Sequence, residues 1–148
     1  MIRRTFKLLT DQSGAAAVEF ALIAPVLFLL VVGIAQFGIA LNNYVLLTDA
    51  VGTGARQLSV SRGTSTPRSS TVTMLQNAAT GLVTGSITIT TKVNGTACAD
   101  DSACSTALTS AAGQAATVTA TYPCDLNVFG INFAPSCSLS STMSERIE

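Results

Sequence analysis

Residues 20–48 contain no Asp, Glu, Lys or Arg. The most apolar part, residues 20–41, reads FALIAPVLFLLVVGIAQFGIAL, interrupted only by Pro25 and Gln36. As an α-helix it would rise about 33 Å, against a hydrocarbon layer about 30 Å thick. A buried core helix is the other reading of such a run. That needs a cover of large side chains, and this chain is short of them: aromatics are 5% of its 148 residues and Trp is absent. The run is therefore read as a membrane-spanning helix.

The flanks orient it. Arg3, Arg4 and Lys7 come before the span, and the first charges after it are Asp49 and then Arg56. Positive residues stay on the cytoplasmic side, so the bulk of the chain lies outside. Four cysteines, Cys98, Cys104, Cys124 and Cys137, all fall in that outer part, as suits an oxidising compartment. Four cysteines allow three connectivities. Cys98–Cys104 with Cys124–Cys137 is favoured, because each pair closes a short loop. Neither spacing is that of a zinc site, and the chain has no His. No metal and no cofactor is expected. Eight basic residues balance eight acidic ones, which argues against a nucleic-acid binder working by bulk charge. With no His and no Ser/Lys or paired-carboxylate motif, an enzyme is not expected either.

Arg3-Arg4-Thr5-Phe6-Lys7 looks superficially like a twin-arginine export signal. However, the polar tract Thr10-Asp11-Gln12-Ser13-Gly14 separates it from the apolar run, which is also too long for a removed signal. Glu19, at the edge of the span, is more informative. A carboxylate drawn to the centre of a membrane helix costs about 2.5–3.5 kcal/mol. A cut after Gly14 would make Ala15 a free ammonium and Glu19 the fifth residue. The carboxylate of one subunit then has a partner in the amine of its neighbour. The small residues Ala17, Ala21 and Ala24 are expected to let the helices approach. The plainer alternative is an acidic residue near a helix N-terminus, favoured there by the helix dipole.

The string Gly14-Ala15-Ala16-Ala17-Val18-Glu19-Phe20-Ala21-Leu22-Ile23-Ala24-Pro25 resembles the opening of type IV prepilins. More closely, it is similar to the TadE-like proteins of the tight-adherence (Tad) pilus system. Asp49-Ala50-Val51-Gly52-Thr53-Gly54-Ala55-Arg56 resembles the family's segment after the span, departing from it at Val51 and Thr53. Val118-Thr119-Ala120-Thr121-Tyr122-Pro123 resembles its late strand ending in Tyr-Pro. The resemblance implies a pseudopilin or minor pilin of a Tad/Flp-type pilus used for surface attachment. It implies processing at Gly14 and Ala15 by a prepilin peptidase, and assembly through Glu19 and Phe20. It also implies residence in the bacterial inner membrane, in contact with lipid, other pilins and the pilus-assembly machinery. The residues alone leave a second reading open, an unprocessed single-pass envelope binding or interaction protein.

Three parts follow: a cytoplasmic leader over residues 1–14, a transmembrane, pilin-like helix over 15–61, and a periplasmic α+β domain with two disulfides over 62–148. The helix is expected to run outward through 42–61 with Tyr44, Leu47 and Val51 on one face and with Gly52 and Gly54 as bend points. Thr66 followed by Pro67 predicts an N-cap and first turn. Val72, Leu75, Ala79 and Leu82 keep helical spacing to a stop near Gly85. Ile87, Ile89 and Val93 alternate with Thr88, Thr90 and Lys92 as a strand, turned at Asn94-Gly95. Ala116, Val118, Ala120 and Tyr122 alternate with threonines as a second, and 139–147 is a third. This alternation argues against reading the Ser/Thr-rich residues 59–121 as a disordered stalk. The expectation is a roughly three-stranded antiparallel sheet packed on a short helix. Val128, Phe129, Ile131 and Phe133 are expected to complete its core, with a docking patch as the other reading. Asp100 and Asp101 are read as a solvated loop, two carboxylates being too few for a calcium site.

Overall fold

The computed structural model describes residues 14–148 except Asp125 and Phe129. The basic leader residues therefore lie outside the described residues. The fold is α+β, a long apolar N-terminal helix followed by a small domain with an antiparallel sheet. The chain divides into two compact units, one up to Phe37 and one of Gly38–Glu148.

Helix α1 is continuous over Ala15–Ser59. In the first unit its apolar side chains are open on all sides: Phe20, Leu22, Ile23 and Phe37 are all more than 60% exposed. In the second unit it is one-sided. Leu47, Ala50, Val51, Gly54, Ala55 and Leu58 are buried, recurring at the three- and four-residue spacing of one helix face. Tyr44, expected on that face, is exposed. Gly54 has a packing role: a Cβ there would stand 3.2 Å from Leu75 Cδ1 and 3.3 Å from Leu75 Cβ.

Helix α2 spans Pro67–Ala78 and buries Pro67, Thr71 and Leu75. It stops about two turns before the predicted end near Gly85. The chain turns at Gly81, which takes a φ of 95°, and a 3-10 turn follows at Thr84–Ser86. Ala79 and Leu82 remain buried outside the helix, so core periodicity outlasts the helical backbone here. Thr66 makes no side-chain capping bond. The cap comes from another element: Asp101 accepts hydrogen bonds from the Ser69 backbone N–H at 2.8 Å and the Ser69 hydroxyl at 2.5 Å. Ser69 N–H is one of the first-turn donors that no helix can satisfy internally.

The sheet has strand order β2-β1-β3-β6, all antiparallel, built from β1 (Thr88–Val93), β2 (Thr96–Ala97), β3 (Ala115–Pro123) and β6 (Ser138–Arg146). The fourth strand beyond the expected three is the short β2. It exists because Asn94 and Gly95 both take positive φ, 50° and 80°, which closes a two-residue hairpin. Thr91 joins Val93 on the buried face, its hydroxyl satisfied by the Cys98 carbonyl at 2.8 Å. Val118, Ala116 and Ala120 bury one face of β3. Strands β4 (Asn127–Val128) and β5 (Ile131–Asn132) form a separate ladder inside the second cysteine loop.

The sequence reading missed helix α3, Asp101–Ser110. Asp100 and Asp101 are not a loop pair. Asp100 is the N-cap, accepting from the Ala103 N–H at 2.7 Å and the Ser102 hydroxyl at 2.8 Å. Asp101 opens the helix and ties it to α2. These hydrogen bonds hold both carboxyls below the usual aspartate range, through Ala103 and then Ser102 for Asp100, and through the Ser69 hydroxyl and N–H for Asp101. Cys104 and Leu108, four residues apart, face the core.

The expected core role of the second cysteine loop is overturned. Ile131 is 62% exposed and Phe133 68%, while Val128 is half-buried. Phe129 lies outside the described residues. Leu, Val, Ile and Ala side chains from the three helices and the sheet fill the core without them.

Candidate assembly surface

Gly14 immediately precedes the first residue of α1, Ala15, and a Cβ at Gly14 would meet nothing within 4 Å. Ala15, Glu19 and Phe20 are exposed. The junction is thus open on every side that the described residues define. Glu19 stands four residues after Ala15, one turn up the same helix face. It is the only charged side chain in residues 14–37. No ion pair of Glu19 exists among the described residues.

Helical geometry corrects one expectation. Ala17, Ala21 and Ala24 share a face, but at 100° per residue that face lies about 160° from Glu19. The residues beside Glu19 are Ala15, Ala16, Leu22 and Ile23, at three- and four-residue spacing. A neighbour approaching Glu19 therefore meets two alanines below it and two large aliphatic residues above it.

The disulfides lie in the second unit. Cys98 is bridged to Cys104, with Cα atoms 5.0 Å apart, and Cys124 to Cys137, with Cα atoms 5.2 Å apart. The first pins the chain after β2 to the first turn of α3. The second closes the loop that carries β4 and β5. No group of three or more Cys, Asp or Glu placed to hold a metal exists among the described residues.

Among the described residues one helix, α1, is long and apolar enough to cross a membrane, and none of its most apolar stretch is buried, which suggests membrane anchoring of the disulfide-bridged α+β domain that follows. The family model described as TadE-like protein matches residues 14–56, beginning at Gly14 and ending at Arg56, inside α1. The match points to involvement in Tad pilus assembly and to interaction with other pilus components. No curated protein and no solved structure matches the chain. The α2, α3 and sheet residues lie outside the matched segment.

Proposed function

We propose that the chain is a non-enzymatic pseudopilin or minor pilin acting in assembly or initiation of a Tad/Flp-type pilus. A prepilin peptidase cleaves it between Gly14 and Ala15. It resides in the inner membrane with its N-terminus cytoplasmic and its disulfide-bridged domain periplasmic. Glu19 and Phe20 at the head of α1 engage other pilins, and lipid surrounds the span before assembly. The observation that carries this reading is the junction itself. An unobstructed Gly14-Ala15 step is followed, one turn later, by a lone carboxylate at the start of an apolar helix none of whose residues is buried before Leu47. That carboxylate has no cation within reach on its own helix, where Arg56 stands near the far end, and cleavage creates one at Ala15.

N-terminal sequencing of membrane-extracted protein tests the proposal. Ala15 is the expected first residue, and Gly14→Phe should accumulate a slower-migrating precursor. A chain that begins upstream of Gly14, or a Gly14→Phe variant that matures normally, refutes the processing step. An upstream start also supports the reading as an unprocessed envelope interaction protein.

A further inference from the structure

The second cysteine loop exposes apolar side chains that the core leaves out. Asp125 is the one charged residue between Cys124 and Cys137. Ile131 and Phe133 are exposed, and Val128 is half-buried. Backbone pairing carries the β3–β6 hairpin on into this loop. The Cys124 N–H donates to the Cys137 carbonyl at 3.1 Å, the Phe133 N–H to the Leu126 carbonyl at 3.1 Å, and β4 pairs with β5 beyond them. The disulfide clasps the two arms at their base. Contacts at both ends of the sheet locate that base along α1. At one end Glu145 lies 3.9 Å from Arg56, and the Glu148 N–H donates to the Ser59 carbonyl at 3.3 Å. At the other end the Tyr122 hydroxyl accepts from the Val83 N–H at 3.5 Å, and a Cβ at Gly81 would stand 3.5 Å from Leu46 Cδ1. The lengths match: Glu145 to Ser138 is about 24 Å of strand, and Arg56 back to Leu41 is about 22 Å of helix. The sheet therefore runs back alongside α1. The cysteine loop leaves it at the end nearest Leu41, where the apolar run stops and Asn42-Asn43 begin.

We propose that the Cys124–Cys137 hairpin inserts Ile131 and Phe133 into the lipid surface from which α1 emerges, on the domain's own side of the bilayer. The inference rests on the membrane-anchored reading, which sets that surface near Leu41. Leu46 stands about 7.5 Å beyond Leu41 along the helix. Four extended residues from Cys124 reach about 13 Å, enough for the hairpin tip to pass the level of Leu41. The headgroup layer it has to enter is about 5–7 Å thick on each side. The chemistry of the loop suits apolar burial at the boundary of headgroups and acyl chains. It offers an aromatic ring and a branched aliphatic side chain, and it has no Lys or Arg with which to hold an anionic headgroup. Closure by the disulfide keeps the two arms together, so both apolar side chains enter as one unit. The result is a second foothold beside the span, which stops the domain from turning about α1.

The chain has no Trp, so a single introduced Trp reports its own surroundings. The test is fluorescence of the full-length chain reconstituted in phosphatidylcholine vesicles, with and without bromine on the acyl chains. Ile131→Trp and Phe133→Trp should emit at short wavelength and be quenched by bromine, more by bromine near the headgroup end of the acyl chain than near its methyl end. Val60→Trp, at an exposed position by the far end of the sheet, should not be quenched. Phe37→Trp, inside the apolar run, scores the anchor by itself and should be quenched. Adding Phe133→Asn to Ile131→Trp removes an exposed ring from the hairpin and should lower the ratio of inserted to free loop about tenfold. Quenching of Phe37→Trp with none of Ile131→Trp or Phe133→Trp overturns the proposal and leaves the anchor standing. An unquenched Phe37→Trp defeats the anchor and the proposal together. Emission of Phe133→Trp that shifts to short wavelength only as the protein-to-lipid ratio rises, and resists bromine, puts a second copy on the loop and also overturns it.

Discussion

At Gly54, α1 lies so near Leu75 of α2 that an added Cβ would crowd it, which gives a double-mutant test of the packing. Leu75 is fully buried, and its Cβ, Cγ and Cδ1 would lie 3.3, 3.6 and 3.2 Å from a Cβ at Gly54. Leu75→Ala removes side-chain atoms from a closed core and should destabilise the domain by about 3 kcal/mol. Gly54→Ala gains about 1 kcal/mol of helix propensity. The new methyl crowds Leu75, at a penalty of about 1–3 kcal/mol, so the net change should be a loss of about 0–2 kcal/mol. In the double variant the methyl introduced by Gly54→Ala occupies space that Leu75 Cγ and Cδ1 have left. The combined loss should fall short of the summed singles by about 1 kcal/mol. Urea unfolding of the detergent-solubilised chain, followed by tyrosine fluorescence, measures all four species, and an unchanged slope keeps the comparison valid. If the two losses add within about 0.3 kcal/mol, or Gly54→Ala stabilises by the full propensity gain, the close approach does not limit packing.

Three further outcomes are expected. Asp100 and Asp101 are held below their ordinary range, so the stability they confer is present above the unfolded aspartate value and lost as acid titrates through the folded one. Unfolding midpoints should therefore drop below about pH 4, and Asp101→Ala should flatten that acid limb while also weakening α2 at neutral pH. Non-reducing peptide mapping should recover Cys98 with Cys104 and Cys124 with Cys137, and replacing the second pair with Ser should cost up to about 3 kcal/mol; a Cys98–Cys137 peptide refutes the pairing. Glu19→Ala should leave the domain folded and the chain cleaved while blocking co-purification with pilus partners, with Glu19→Gln milder; assembly at the wild-type level would reduce Glu19 to a helix-start residue.

What could be read from the sequence depended on how local its cause was. The Asn94-Gly95 turn and the alternating β3 strand are encoded by neighbouring residues, and the predicted bounds of β3 and of the less regular β6 differ from those found by one residue at each end. Helix α3 was not legible in the same way. Its Ser, Thr and Cys residues are mediocre helix formers, and only Cys104 and Leu108 are fully buried. The signal that is present is Asp100 at the N-cap followed by an acidic first turn, a pair of carboxylates that also suits an exposed loop. The cap of α2 was beyond local reading, because its donor and acceptor are 32 residues apart. Ile131 and Phe133 failed for a related reason. The rule that scarce large residues go inside holds only where the core has room, and α1 already fills this one with Leu47, Val51 and Leu58.

The same distinction separates the charged residues of α1. Glu19 is conspicuous in sequence because its surroundings are uniformly apolar, so a single charge breaks the pattern. Asp49 and Arg56 sit in an ordinary amphipathic stretch, where a charge on a helix usually means a solvated face. Their spacing is readable, but its consequence depends on which side of α1 the sheet and α2 cover. Burial of Leu47, Ala50, Val51, Gly54 and Leu58 fixes that side and leaves the charged face bare. Along one helix, then, a charge carries different weight. In the first unit every face is apolar, and the lone carboxylate stands out as the proposed assembly residue. In the second unit the core has claimed the apolar face, and charges on the face it leaves bare are the ordinary pattern of an amphipathic helix.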